Sequence, residues 1–427
     1  MSMIAAPRAL RYRTRGAGEL GAILAPPYDV ISSTEARELR AGHEHNVVRL
    51  ILPEGEGDER YARAAATLRS WIDSGVLEVE DRPAVYVHRH NFRLGGVAYR
   101  RTGVWTLLRL SPFEARIVLP HEMTMGGPKA DRLALMRACR AQLSPIFVIC
   151  SDPDRGVSEA LRSLTAGEPD ERAEFPAQQT HEIWRIDESP QLDELGRRFE
   201  DRTFLIADGH HRYETALNYC HELISRGAPE TGRAGHEFVL AHIVPENDPG
   251  LLLLATHRVI LGGRLDWSGA IARLRGRFVI ARIEEAQLAD EIAALDGESQ
   301  RSTFILITRD EPNAWRLRLA MRRGWGREPD IAAMALHELL LAEGMGLSLD
   351  EQLGRTEYLR DPQEAMDRVR SGKAEAAAIL AAPRVSEVRK AAAVGRRLPA
   401  KTTYFWPKVP VGIAIHAIDP EMEVRLL

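Results

Sequence analysis

Cysteine is scarce, with three residues in a chain of 427. Cys139, Cys150 and Cys220 lie far apart in apolar surroundings, so neither a disulfide framework nor a zinc ribbon is indicated, and all three read as core thiols. Long apolar runs are missing as well. The run Leu251–Leu254 is far too short to span a bilayer, and Met1–Arg8 lacks the apolar core of a secretory signal. A cytoplasmic location and no membrane partner are therefore expected. A marked excess of charge of one sign is also missing: the formal balance of −4 leaves no electrostatic footprint for nucleic acid. A glycine-rich Walker loop is absent, which argues against an ordinary P-loop nucleotide site. No internal repeat or low-complexity tract is found.

What is present is a 44% hydrophobic chain, long enough for two or three packed units. Short apolar runs alternate with amphipathic stretches, so the expected class is α+β, a mixed α/β chain of several units. The paired prolines in Ala25–Val30 impose an extended turn. Asn46–Pro53 reads as a strand and Arg60–Ser74 as a helix. Ala84–His90 and Thr102–Leu110 read as strands that flank Gly95-Gly96, a hairpin signal. A helix starting near Lys129 is followed by the strand Pro145–Cys150. Phe238–Val244 and Leu251–Ala255 read as paired strands, and the charged stretches Glu285–Leu295 and Pro329–Ala342 as peripheral helices. Boundaries after 111 and 230 give an N-terminal α/β unit (1–111), a site-bearing unit (112–230) and a C-terminal α/β unit (231–427) expected to pack on the site.

The densest chemistry is Asp208-Gly209-His210-His211-Arg212. Thr203–Ala207 reads as a buried strand, and Tyr213, Ala216, Leu217, Cys220 and Ile224 recur at helical spacing, so the polar run sits at a strand-to-helix turn. Gly209 permits the turn and a close backbone approach. The free N–H groups and positive dipole end of the helix favour phosphate, to which His210, His211 and Arg212 add directed donors. Asp208 is out of place beside a phosphate unless it holds a cation such as Mg²⁺ or accepts a proton. Lys129 and Arg132, in the first turn of another helix, oppose its dipole and so point to a nearby anion, with Asp131 answering them in part. His257 and Arg258 close a strand, and Lys401–Lys408 combines cations, hydroxyls and aromatics that suit either a pocket lining or an edge strand.

Taken in order, Ala25–Ser32, Asn46–Pro53, His121–Thr124 with Lys129 and Asp131-Arg132, Gln142–Phe147, Asp208–Thr215, Thr256–Arg258 and Lys401–Lys408 closely resemble the bacterial and archaeal domain-of-unknown-function family numbered one thousand and fifteen. The likeness spans nearly the whole chain. The Asp208–Arg212 turn is also similar to the phosphate-binding box of the ParB and sulfiredoxin superfamily, nearest to its free serine kinases. His210 stands where sulfiredoxins carry a cysteine, which disfavours redox chemistry. This resemblance implies a ParB/sulfiredoxin-like core and phosphoryl transfer between a donor and free serine, or the reverse reaction on phosphoserine. ATP, ADP or pyrophosphate would be the donor, with Mg²⁺. For that chemistry Glu122 is the candidate general base, a carboxylate to accept the serine proton, with Asp208 as the alternative and His211 as a further catalytic candidate. Gly209, His210, Arg212, Lys129 and Arg132 would sit on the phosphate, and His121, Thr124, His257, Arg258, Lys401 and Tyr404 on the substrate. A nucleotide-binding switch with slow turnover and a metal-dependent phosphoester hydrolase are the alternatives. A zinc site built from His121, Glu122 and the histidine pair lacks a helical His-x-x-x-His spacing.

Overall fold

The computed structural model describes residues 2–14, 17–123, 126–263, 265–296, 302–320 and 331–427. Two units form, each from separate stretches: Met1–Pro120, Thr124–Leu252 and Pro407–Leu427 make the first, His121–Met123 and Leu253–Trp406 the second. The positions 111/112 and 230/231 both fall inside the first unit. The class is mixed α and β.

The first unit is organised by a mixed sheet whose middle strands are Phe204–Asp208, Ile146–Cys150, Phe238–Pro245, Val97–Arg109 and Val85–Leu94, in that order. Phe238–Pro245 runs parallel to Ile146–Cys150 and antiparallel to Val97–Arg109. The last two strands form a long hairpin over Gly95-Gly96, both at positive φ, the conformation a tight two-residue turn needs. Val85, Val104, Ile146, Val148, Phe204 and Ile206 pack one continuous core with Leu192, Leu195 and Tyr213 from the covering helices. In the second unit the strands Thr303–Thr308, Ala376–Leu380 and His257–Ile260 lie inside a six-stranded antiparallel sheet. The three cysteines are free, and burial pushes the Cys139 and Cys220 thiols up to about 12, which makes them unreactive.

Three expected elements differ. Asn46–Pro53 is no strand: Val48–Ile51 is a short helix, because the Asn46 carboxamide oxygen accepts the Val48 N–H at 2.9 Å while its NH₂ donates to the Ala22 and Leu24 carbonyls. An apolar run buried on every side carries no period that separates strand from helix. Phe238–Pro245 and Leu252–Leu254 do not pair with each other. Both edges of the first are taken by neighbouring strands, and the second pairs with Tyr404–Trp406. Ala332–Met334 and Ala335–Gly344 are not peripheral either, since Ala332, Leu336, Leu340 and Leu341 are buried; residues 329 and 330 lie outside the described residues. Among the described residues, no single helix is long and apolar enough to cross a membrane.

One feature of the first sheet is polar. His88, His90, His181 and His242 are at most 1% exposed and lie against one another. The Phe175 carbonyl can only accept, so His181 donates to it from Nε2, and its Nδ1 accepts from His88 Nε2 at 2.9 Å. His88 Nδ1 then accepts from His242 Nε2 at 3.2 Å. A single carbonyl thus sets three tautomers, all neutral. Burial holds all four imidazoles below their ordinary 6.5, His181 at about 4. As pH falls below 6.5 the unfolded chain takes up protons that these rings refuse, so stability is expected to drop between 6.5 and 4. The check is the urea midpoint, which should be lower at about pH 5 than at about pH 7.5. An unchanged midpoint would mean the rings accept protons in place.

Candidate phosphate site

The strand Phe204–Asp208 pairs Ile206 with Val148 and Asp208 with Phe147, leaving Ala207 as one extra residue. Such a bulge re-aims the residue that follows it. Gly209 caps the helix His210–Ser225 at φ 93°. A Cβ there would lie 3.0 Å from the Arg212 guanidinium, so glycine is required both for the backbone angle and for the space. The helix is anchored by Tyr213, whose hydroxyl donates to the Ser111 carbonyl at 2.8 Å and accepts the Ser111 N–H at 3.0 Å.

Asp208 lies between two cations. Its Oδ1 accepts from Lys408 Nζ at 2.6 Å and its Oδ2 from Arg212, whose other terminal nitrogen donates to the Pro145 carbonyl. Burial raises the carboxyl pKa, but Lys408 and Arg212 outweigh it, and with His210 they hold the group well below the usual carboxylate range. Such a carboxylate is a poor proton acceptor. Its role here is to orient two cations at the start of a helix. The expected Mg²⁺ on Asp208 does not fit, because both oxygens are already engaged by cationic donors. Among the described residues no group of three or more His, Cys, Asp or Glu is placed to hold a metal ion.

The neighbouring cations have other partners. Lys129 Nζ donates to Glu214 at 2.8 Å. Arg132 donates to Asp131 and to the Ile51 carbonyl, with its guanidinium 4.1 Å from the centre of the Tyr28 ring. Asp131 also accepts from Arg60 and from the Tyr61 hydroxyl. His210 is buried and His211 half-buried on the same first turn. Beside Arg212, Tyr28, Arg132, Ser144 and Thr215 line a cavity of about 40 Å³, room for water and not for a nucleotide.

A family model described as "Protein of unknown function (DUF1015)" matches residues 4–333. The chain belongs to this family. No curated protein matches the chain significantly. Among solved structures, a conserved hypothetical protein from Pyrococcus furiosus is 16% identical at a TM-score of 0.34, with 73% of this chain and 95% of that one covered. A free serine kinase in complex with AMP is 14% identical at 0.34, over 75% and 92%. SbnI with a C-terminal truncation, from Staphylococcus aureus, is 10% identical at 0.36, over 74% and 89%.

Of the other sequence candidates, His121, Glu122, His257, Arg258, Lys401 and Tyr404 lie in the second unit of this DUF1015 chain. His121 is buried, with Nε2 2.7 Å from the Thr403 hydroxyl, and the same hydroxyl donates to Glu122 at 3.3 Å. His257 Nδ1 accepts the Leu380 N–H, and burial lowers its pKa to about 4. Arg258, also buried, donates to the Thr256 and Ala400 carbonyls. Both therefore brace the interior of that unit. Tyr404 accepts from Arg360 at 2.6 Å, Lys401 is exposed, and Thr124 lies outside the described residues.

Two site residues were not singled out from sequence. Lys408 stood in the Lys401–Lys408 cluster, but its partner is 200 positions away. Arg101 carried no signal: buried, it donates to the Pro407 carbonyl at 2.7 Å and so fixes the residue preceding Lys408.

Asp208→Ala would leave two part-buried cations without their counter-charge, and a loss of ~3–5 kcal/mol in urea unfolding is expected. A loss below ~0.5 kcal/mol would mean water already screens the trio. Gly209→Ala is expected to cost ~1–2 kcal/mol in the same assay, from the left-handed backbone and the approach to Arg212.

Proposed function

We propose that this protein moves a phosphoryl group between a phosphate donor and free serine, or removes it from phosphoserine. The observation that carries the reading is the Lys408–Asp208–Arg212 trio at the start of the His210–Ser225 helix. Phosphoryl transfer asks a protein mainly for positioning and for charge aimed at the equatorial oxygens. Arg212 and Lys408, held by Asp208, would supply that charge without reorganising, and the opening helical turn adds N–H groups that have no acceptor inside the helix. In the forward direction the serine oxygen forms the new bond to phosphorus as the bridging bond to the donor breaks. The serine proton passes to a base, which we assign to Glu122. Asp208 is left the positioning role, because its two cations make it the weaker acceptor. ATP, ADP and pyrophosphate are the donors to test, and serine as acceptor rests on the likeness of the Asp208–Arg212 turn to free serine kinases.

Phosphorus NMR on the full-length protein with serine and each donor, and with phosphoserine alone, tests the reading. Turnover that requires serine or phosphoserine is expected. Arg212→Ala should lower kcat about 10²–10³-fold, the usual cost of one donor lost from a developing anion. Glu122→Gln should abolish transfer while leaving donor binding intact. Nucleotide binding with slow hydrolysis that ignores serine would instead mark a switch.

A further inference from the structure

We propose that the first unit carries a second anion site, distinct from the Asp208 turn, that takes a compact polyanion bearing a diphosphate group. The site is a cleft of about 750 Å³ between the Val85–Leu94/Val97–Arg109 hairpin and the helix Gly156–Leu164. That volume lies within the range of about 300–1,000 Å³ usual for small-molecule sites. Arg89, Arg93 and Arg100 line it from the hairpin, and Arg155 and Arg162 from the helix side.

The charge in this cleft is one-sided. Arg89 has a carboxylate nearby, Glu182 at 3.5 Å, and donates to Thr165. Among the described residues the other four pair with no carboxylate. Arg93 donates to the Gly96 carbonyl and Arg100 to Asn91, one nitrogen each, which leaves most of their donors unused. The one acid in the lining, Asp248, is turned toward the backbone, accepting the Thr102 N–H at 3.0 Å and the Gly250 N–H at 2.8 Å. Burial raises its carboxyl to about 6, which further weakens it as a counter-ion. Four cations without counter-charge around one concavity repel one another, and a monoanion would leave most of that repulsion in place. Two linked phosphates offer enough charge and enough oxygens for several bidentate arginine contacts.

The cleft and the Asp208 turn lie at opposite ends of the same strands. Phe147, near the start of Ile146–Cys150, pairs with Asp208, while Cys150 at its end pairs with Pro245, which lines the cleft. Phe147 and Cys150 are three positions apart, about 10 Å of strand.

Calorimetric titration of the full-length Arg212→Ala variant tests the proposal with the Asp208 site weakened, using inorganic pyrophosphate and ADP as probes. One saturable site is expected for at least one probe, weakening as salt is raised and weakened at least about tenfold by adding Arg155→Gln and Arg162→Gln. ADP binding above pyrophosphate would name a nucleoside diphosphate, and the reverse a free polyphosphate; both support diphosphate recognition. Arg93→Gln with Arg100→Gln, on the opposite wall, provides an independent variant should the first pair lower the melting temperature. Absence of binding by both probes, binding indifferent to both pairs, or tighter binding of a single-stranded oligonucleotide would overturn it. With Arg212 otherwise intact, Arg155→Gln/Arg162→Gln should leave transfer to serine unchanged, so this site and the Asp208 site fail separately.

Discussion

Taking a carboxylate out of water costs several kcal/mol unless opposite charge goes with it, and at Asp208 two cations do. The local geometry of the first unit is arranged around that requirement. The extra residue Ala207 re-aims Asp208, Gly209 makes room for the Arg212 guanidinium, and the Pro145 carbonyl accepts from the arginine's other terminal nitrogen. Lys408 arrives from the far end of the chain on a backbone pinned by Arg101.

This arrangement separates charge placement from proton chemistry. A carboxylate neutralised by two cations orients them well and accepts a proton poorly, so the same interaction that organises the phosphate site gives Asp208 a positioning role. The nearby cations are distributed on the same logic. Lys129 is matched by Glu214, while Asp131 is shared by Arg132 and Arg60, much as Asp208 is shared by Arg212 and Lys408. In the arginine-lined cleft the acid instead turns away from the cations.

Between these two ends the sheet interior carries a histidine chain that stays neutral by burial. Its last member, His242, and Asp208 both pair with Phe147, from opposite sides of one strand. Arg101 reaches across this region, accepted by His90 on one side and by the Pro407 carbonyl on the other, with the Phe147 ring beneath it. Among the described residues no salt bridge is made to this deep guanidinium, and burial lowers its pKa to about 10.

Elements whose signal is local were legible in the sequence. The turn at Asp208–Arg212, the hairpin over Gly95-Gly96, the strand Ile146–Cys150 and the helix after Gly209 follow from glycine placement and from periods of two and of three to four. Asn46–Pro53 differs because an apolar segment buried all round has no period to read, and the Asn46 side chain turns the backbone just before the short helix. The pairing of Phe238–Pro245 was misread because proximity in sequence says nothing of which edges are already taken. What the sequence determined by itself is the chemistry on offer, an acid, a glycine, two imidazoles and a guanidinium at a helix start. Only the tertiary structure decided how that chemistry is tuned. The proton affinity of a carboxylate depends on charges within a few ångströms, and the lysine that sets it here is joined to Asp208 by packing alone, across 200 residues of chain.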